Sequence, residues 1–259
     1  MSVWAWQSFA ALGVQDLTAN ITQDLVSMSI ERVNEFDPTD LASLLRSMVL
    51  CGYSPSKEEL KDVCYRAFMI AGTFGASATS IFLWSIAMLG GNVEMKLRDE
   101  IKARIAACAA SFSFYECGDI IWACNVLDIQ IDPAMWSSMW KTALGGVKTC
   151  DGTSLSNMMF AHGTWRIKPE QALLDAIKER ITEIVPDFEP EEAGNLTWAM
   201  GVLGCETPEA LSQAQQGLGG KVVAKKTPCY NVHSKEKLIS IRKLQKNPIS
   251  HKTRQELFV

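Results

Sequence analysis

The chain repeats itself at a constant interval of thirty-eight positions, which restricts its folds to stacks of like units. Four segments carry the repeat most plainly: IFLWSIAMLGG from Ile81, DIIWACNVLD from Asp119, NMMFAHGTWR from Asn157 and NLTWAMGVLG from Asn195. Their aromatic anchors, Trp84, Trp122, Phe160 and Trp198, are evenly spaced at that interval. One more step back falls on Arg46, and a further, slightly longer step on Gln7, beside Trp4 and Trp6. Other columns keep the same phase. Ten positions before the anchor stand Phe36, Phe74, Phe112, Cys150 and Phe188. Six positions after it stand Gly13, Gly52, Gly90, Asp128, Arg166 and Gly204. Small residues recur directly after the anchor (Ser8, Ser47, Ser85, Ala123, Ala161, Ala199) and four before it (Ala42, Ser80, Gly118, Ser156, Gly194), where they would let neighbouring helices approach closely.

The unit reads as helix–turn–helix. FDPTDLASLLRSMVLCG opens on Asp37-Pro38, carries an apolar stripe of Leu41, Leu44, Leu45 and Met48, and stops at Gly52. The next segment restarts at Ser54 and Pro55, and Pro133, Pro169 and Pro208 stand at similar places later. The period leaves room for two helices of about 13 residues with short connections. A single hairpin cannot bury its own apolar face, so the expected fold is all-α, an α-solenoid of five to six repeats over residues 1–216. The last pair abandons the pattern near Gly217, which points to a piece of a longer array. Residues 217–259 have little apolar period and are expected to form a poorly structured basic tail.

Composition narrows the class. With 47% apolar and 21% charged residues, disorder over most of the length is excluded. The net charge of −4 hides a split: residues 1–218 carry −12 and residues 219–259 carry +8. The stretch between Arg66 and Glu94 has no formal charge and is long enough for a bilayer, but Gly72, Thr73, Gly75, Ser77, Thr79 and Ser80 break it. It reads as the end of one buried helix, a turn and the start of another. The eight cysteines form no CxxC pair and lie far from His162, His233 and His251, which argues against zinc, a redox motif or a disulfide framework. The start, MSVWAWQSFAALG, has the features of neither a secretory signal nor a transit peptide.

The phased core L-x-N-x-x-W-A-x-x-x-L-G is met by Asn195, Trp198, Ala199, Leu203 and Gly204, with Leu196 beside Asn195, and in part by Asn157, Phe160 and Ala161. It resembles the octotricopeptide repeat family, and the resemblance spans roughly residues 1–210. Related arrays are the heptatricopeptide proteins, the FAST-kinase-like mitochondrial proteins and helical-repeat subunits of kinetoplastid RNA-editing complexes. The resemblance implies a non-catalytic protein that binds single-stranded RNA in mitochondria or plastids, alone or with other ribonucleoprotein subunits. It would act in RNA processing, stability, editing or translation, with no DNA or membrane partner. Without a visible transit peptide, the cytoplasm is the alternative location. Many relatives end in a nuclease-like RAP domain, which the tail does not resemble, so nuclease activity is not carried over.

In such arrays a repeat offers a few side chains to one unstacked base. The candidate readers stand three positions before the anchor: Ser43, Asp119, Asn157 and Asn195, with Ile81 a blank. The alternative is that these side chains hold a neighbouring helix or cap a turn. Phosphate contacts would fall to basic residues of the body, foremost Arg46 and Lys141, with Lys102, Arg104 and Lys148, unless these are ordinary solvated side chains. The phased tryptophans are expected in the core. Trp136 and Trp140 read as core or as a base-stacking platform, and His162 as a buried or boundary histidine. No phosphate loop, nucleophile elbow or metal-ligand spacing occurs, so no catalytic residue, metal or cofactor is assigned. The acidic body keeps open a rival reading, a protein-interaction scaffold.

Overall fold

The computed structural model describes residues 2–14, 19–91 and 93–217. The basic tail therefore lies outside the described residues, apart from Gly217. Those described contain twelve α-helices: α1 (Ser2–Ala11), α2 (Ala19–Glu31), α3 (Pro38–Leu50), α4 (Lys57–Met69), α5 (Ala76–Met88), α6 (Met95–Cys108), α7 (Phe114–Val126), α8 (Pro133–Gly146), α9 (Gly152–Trp165), α10 (Gln171–Ile184), α11 (Pro190–Val202) and α12 (Glu209–Gly217). Among the described residues there is no strand.

The period is written into the helix ends. From α3 onward the odd helices start at the interval of the sequence repeat, after Asp37, Gly75, Ser113, Asp151 and Glu189. Asp37, Ser113 and Asp151 accept the backbone N–H of the third helical residue at 2.9, 3.2 and 2.8 Å, filling a donor the first turn cannot pair. The even helices start after Ser56, Glu94, Asp132 and Glu170, with the same spacing. Each odd helix ends on a left-handed residue, and these six are the column after the anchor: Gly13, Gly52, Gly90, Asp128, Arg166 and Gly204, at φ between 55° and 70°. The next residue's N–H returns to a carbonyl five positions earlier, as from Tyr53 to Met48 and from Cys205 to Met200, both at 2.9 Å. With the left-handed residue's own N–H, which returns three positions, as from Gly52 to Val49 at 3.0 Å, that bond closes the helix and reverses the chain.

Four even helices end differently, in 3-10 turns at Val33–Glu35, Ala71–Thr73, Val147–Thr149 and Val185–Asp187. After each turn stands an extended residue of the phenylalanine column, Phe36, Phe74, Cys150 or Phe188.

Packing sorts the helices into two sets. The odd helices pack in chain order, α1 on α3, α3 on α5, and so on to α11; of the even helices, α2 packs on α4, α4 on α6, α8 on α10 and α10 on α12. Each odd helix also packs on the even helix that follows it. The apolar columns meet between them. Leu45, Leu83, Ile121 and Met159 are wholly buried, as are Ile86, Cys124, His162 and Met200. The small column does what small residues allow: a β-carbon on Gly118 of α7 would lie 3.3 Å from the backbone of Met158 on α9. The uncharged stretch after Arg66 divides as expected into the end of α4, a turn and α5, and no described helix is long and apolar enough to cross a membrane.

Candidate functional site

On α3, Thr39, Ser43, Arg46 and Leu50 lie one turn apart along one face, and the same offsets recur on later odd helices. This face holds the expected readers. Ser43 is half-buried and Arg46 exposed. Asp119, Asn157 and Asn195, however, are 2%, 3% and 0% exposed. The expectation of an exposed reader column is thus not met at these three positions, and the cause is local. One turn later stand the anchor rings, of which Trp84, Trp122 and Phe160 are buried. Phe160 and Trp198, on neighbouring helices, stack at 5.1 Å between centroids. Close approach through the small columns and bulky rings in the anchor column together shut solvent away from the side chains between them.

The electrostatics of this face are mixed. Tyr115 of α7, one turn before Asp119, donates its hydroxyl to that carboxylate. Burial first, then the Asp119 charge, push the phenol up, while Arg46 pulls it the other way. Arg46 of α3 and Asp119 of α7 therefore act on one group, in opposite directions.

Arg46 and Lys141 are not brought together. Lys141 is exposed on α8, among the even helices, and its expected companions also lie on that side. Lys102 of α6 pairs with Asp132 at 3.8 Å. Lys148 is exposed in the turn after α8. Arg104 donates to the carbonyl of Phe74 and to Cys108 Sγ, so it is a structural tie and not a surface cation. A single basic stripe uniting Arg46 with these residues does not form.

Arg104 belongs to a column that sequence reading missed. Arg66 donates to the carbonyl of Phe36 at 2.9 Å, and Arg180 donates twice to that of Cys150. These arginines keep the interval of the repeat, with Thr142 in the remaining place donating to the carbonyl of Ala109 at 3.1 Å. The signal was present as a phased Arg-Arg-Thr-Arg column, but isolated arginines on helices read as solvated charge.

Trp136 is buried and Trp140 half-buried, and both face His162, at 5.4 and 6.1 Å between centroids. His162 is 0% exposed, and its Nδ1 lies 3.0 Å from the Ile167 carbonyl. A carbonyl only accepts, so Nδ1 carries the proton and Nε2 keeps its lone pair. Burial lowers the His162 pKa to about 4, against an opposing effect of that hydrogen bond. The pair of rings forms a packed cluster around the histidine, in the core rather than as an open platform.

Burial raises the thiols of Cys64 and Cys117 to about 12. The Cys150 thiol rises to about 11, also by burial, with Arg180 opposing. These are protonated, unreactive side chains at neutral pH. Among the described residues no three His, Cys, Asp or Glu side chains are placed to hold a metal ion. An open cleft of about 260 Å³ lies between α10 and the segment entering α12, lined by Glu179, Glu206 and Glu209 among others. No family model matches the chain, and no curated protein matches it.

Proposed function

We propose that the described helices form a stretch of α-solenoid, built of hairpins that follow the sequence period, which binds single-stranded RNA without catalysis in mitochondrial or plastid RNA processing, stability, editing or translation. The observation that carries this reading is the period of the turn chemistry. Starts after positions 37, 75, 113, 151 and 189 and left-handed stops from Gly13 to Gly204 give successive hairpins a common orientation of faces. The resemblance of the Asn195–Gly204 core to octotricopeptide repeats supplies the ligand. Of the expected set on the odd helices, exposed Arg46 and half-buried Ser43, one turn apart, would meet the strand. Lys141 would act from the even helices.

A second reading, a protein-interaction scaffold, is favoured by the burial of Asp119, Asn157 and Asn195 and by the −12 charge of residues 1–218.

The two readings separate in a titration of the full chain with fluorescent single-stranded RNA of varied sequence. The RNA reading expects binding whose affinity falls steeply with salt, because phosphate contacts release counterions, and which Arg46→Glu weakens. A folded, helical protein that binds none of these oligonucleotides at low salt overturns it and leaves the scaffold.

A further inference from the structure

Every odd helix before the last buries one face under its successor. The column of Leu45, Leu83, Ile121 and Met159 is 0% exposed along that face. Gly163, one turn further along α9, lies so near α11 that an added β-carbon would fall 2.8 Å from the Trp198 ring. On α11 the equivalent positions are Thr197 and Gly201. Thr197 is half-buried, and its hydroxyl oxygen has no hydrogen-bond partner among the described residues. Gly201 is exposed, Trp198 is half-buried, and Val202 is 37% exposed. Thus α11 keeps the columns that seat a following odd helix, and the described residues supply none.

Charge indicates what covers this face. Residues 170–209 hold ten carboxylates and two basic groups, a net of −8, whereas all of the chain before them carries only −4. Two thirds of the acidic excess of the helical part is therefore concentrated around α10, α11 and the start of α12. The cleft lined by Glu179, Glu206 and Glu209 is at this same end. In sequence, the segment from Leu218 to Val259 follows α12 directly. Within it residues 219–259 hold ten Lys and Arg against two Glu, a net of +8, with apolar Val222, Val223, Leu238, Ile239 and Ile241 between the charges. At ~3.3 Å per extended residue, reach does not limit contact.

We propose that segment 218–259 of this chain folds back to cap the α11 end. Its lysines and arginines meet the carboxylates of residues 170–209, and its apolar side chains cover Thr197, Gly201 and Val202. An array end needs such a cover, and opposite charge at close range supplies the steering, weakened by salt. The cap is independent of what the array binds.

Zero-length carbodiimide cross-linking of the dilute full chain, mapped by mass spectrometry, tests it. Links from Lys221, Lys225, Lys226, Lys235 and Lys237 are expected within one molecule, concentrated on Glu191, Glu206 and Glu209, and reduced several-fold by high salt. Val202→Lys, which removes apolar surface and adds a charge like the tail's own, is expected to reduce them several-fold without loss of helix. As a second measurement, Lys225→Glu with Lys226→Glu is expected to speed hydrogen exchange in the last turn of α11 several-fold and to leave that of α9 unchanged. Links spread over the carboxylates of residues 1–169, links formed only between two copies, or exchange at α11 indifferent to the tail substitutions overturn the cap.

Discussion

Arg180 donates from Nε and Nη2 to the carbonyl oxygen of Cys150, at 3.1 and 2.9 Å. That oxygen belongs to the extended residue leaving a 3-10 turn, where no helix offers it an N–H. The guanidinium fork ties α10 to the junction between α8 and α9, as Arg66 ties α4 to the junction before α3. The ties recur at the chain period, each fixing a junction whose own apolar residues, such as Phe36, Phe74 and Val147, are already buried in the core.

Replacing the fork while keeping the stem removes this tie together with the exposed Nη1 contact to Glu183, an i,i+3 surface pair of little worth. Arg180→Met is expected to destabilise the protein by about 1.5–3 kcal/mol, the range for a hydrogen bond to a charged donor. The urea midpoint of the full chain checks it. A midpoint unchanged from the parent would mean that water serves the Cys150 carbonyl equally well.

Arg166 occupies a left-handed conformation at φ 56° that four of the six equivalent positions give to glycine. Its side chain is exposed, so the strain has no visible compensation. Arg166→Gly is expected to stabilise by about 1 kcal/mol, since a β-carbon costs roughly that much in this region. Gly52→Ala, at φ 70°, is expected to cost a similar amount. Thermal melts of the two variants should move in opposite directions.

Gly118 has the backbone of Met158 across from it, not a flexible side-chain end. Gly118→Ala places a β-carbon 3.3 Å from that backbone, so α7 and α9 must part by a few tenths of an ångström along a packed face. An overpacking cost of about 1–3 kcal/mol is expected. Because alanine favours a helix over glycine by about 1 kcal/mol, a neutral result would show that the close approach relaxes at that smaller cost. Chemical denaturation distinguishes the outcomes.

The helix ends were legible in the sequence because they depend on local chemistry. Asp37-Pro38 starts a helix and Gly52 stops one wherever the chain goes next, and the same phase puts Asp128 and Arg166 in the glycine column, where both take left-handed angles. Burial was less legible. Asn157 and Asn195 are polar and recur in phase, which suits an exposed reader as well as an enclosed side chain. What decides between them is how closely α7, α9 and α11 approach, a property of the small columns and the Phe160–Trp198 stack acting together. The arginine ties were hidden for a related reason: their acceptors are backbone carbonyls distant in the chain, and a carbonyl leaves no mark in a sequence.

His162 stands in a column held otherwise by Met48, Ile86, Cys124 and Met200, and it is the one member of that set that can take up a proton near neutral pH. Its pKa falls from 6.5 to about 4 in the folded protein because burial disfavours the imidazolium. The unfolded chain therefore binds a proton that the folded one refuses between these two values. Neutral His162 contributes its full stability above pH 6.5, and that contribution is lost as the pH falls towards 4, by about 3 kcal/mol in total. Carboxylates also titrate in the lower part of this window, so the comparison has to be made against a variant. His162→Met supplies the side chain the column prefers and removes the titration. Unfolding free energies from pH 7 to 4.5 should fall more steeply for the parent than for His162→Met, with the gap opening just below pH 6.5. Parallel curves would show that the folded protein accommodates the imidazolium between Trp136 and Trp140, whose ring faces can attract a cation.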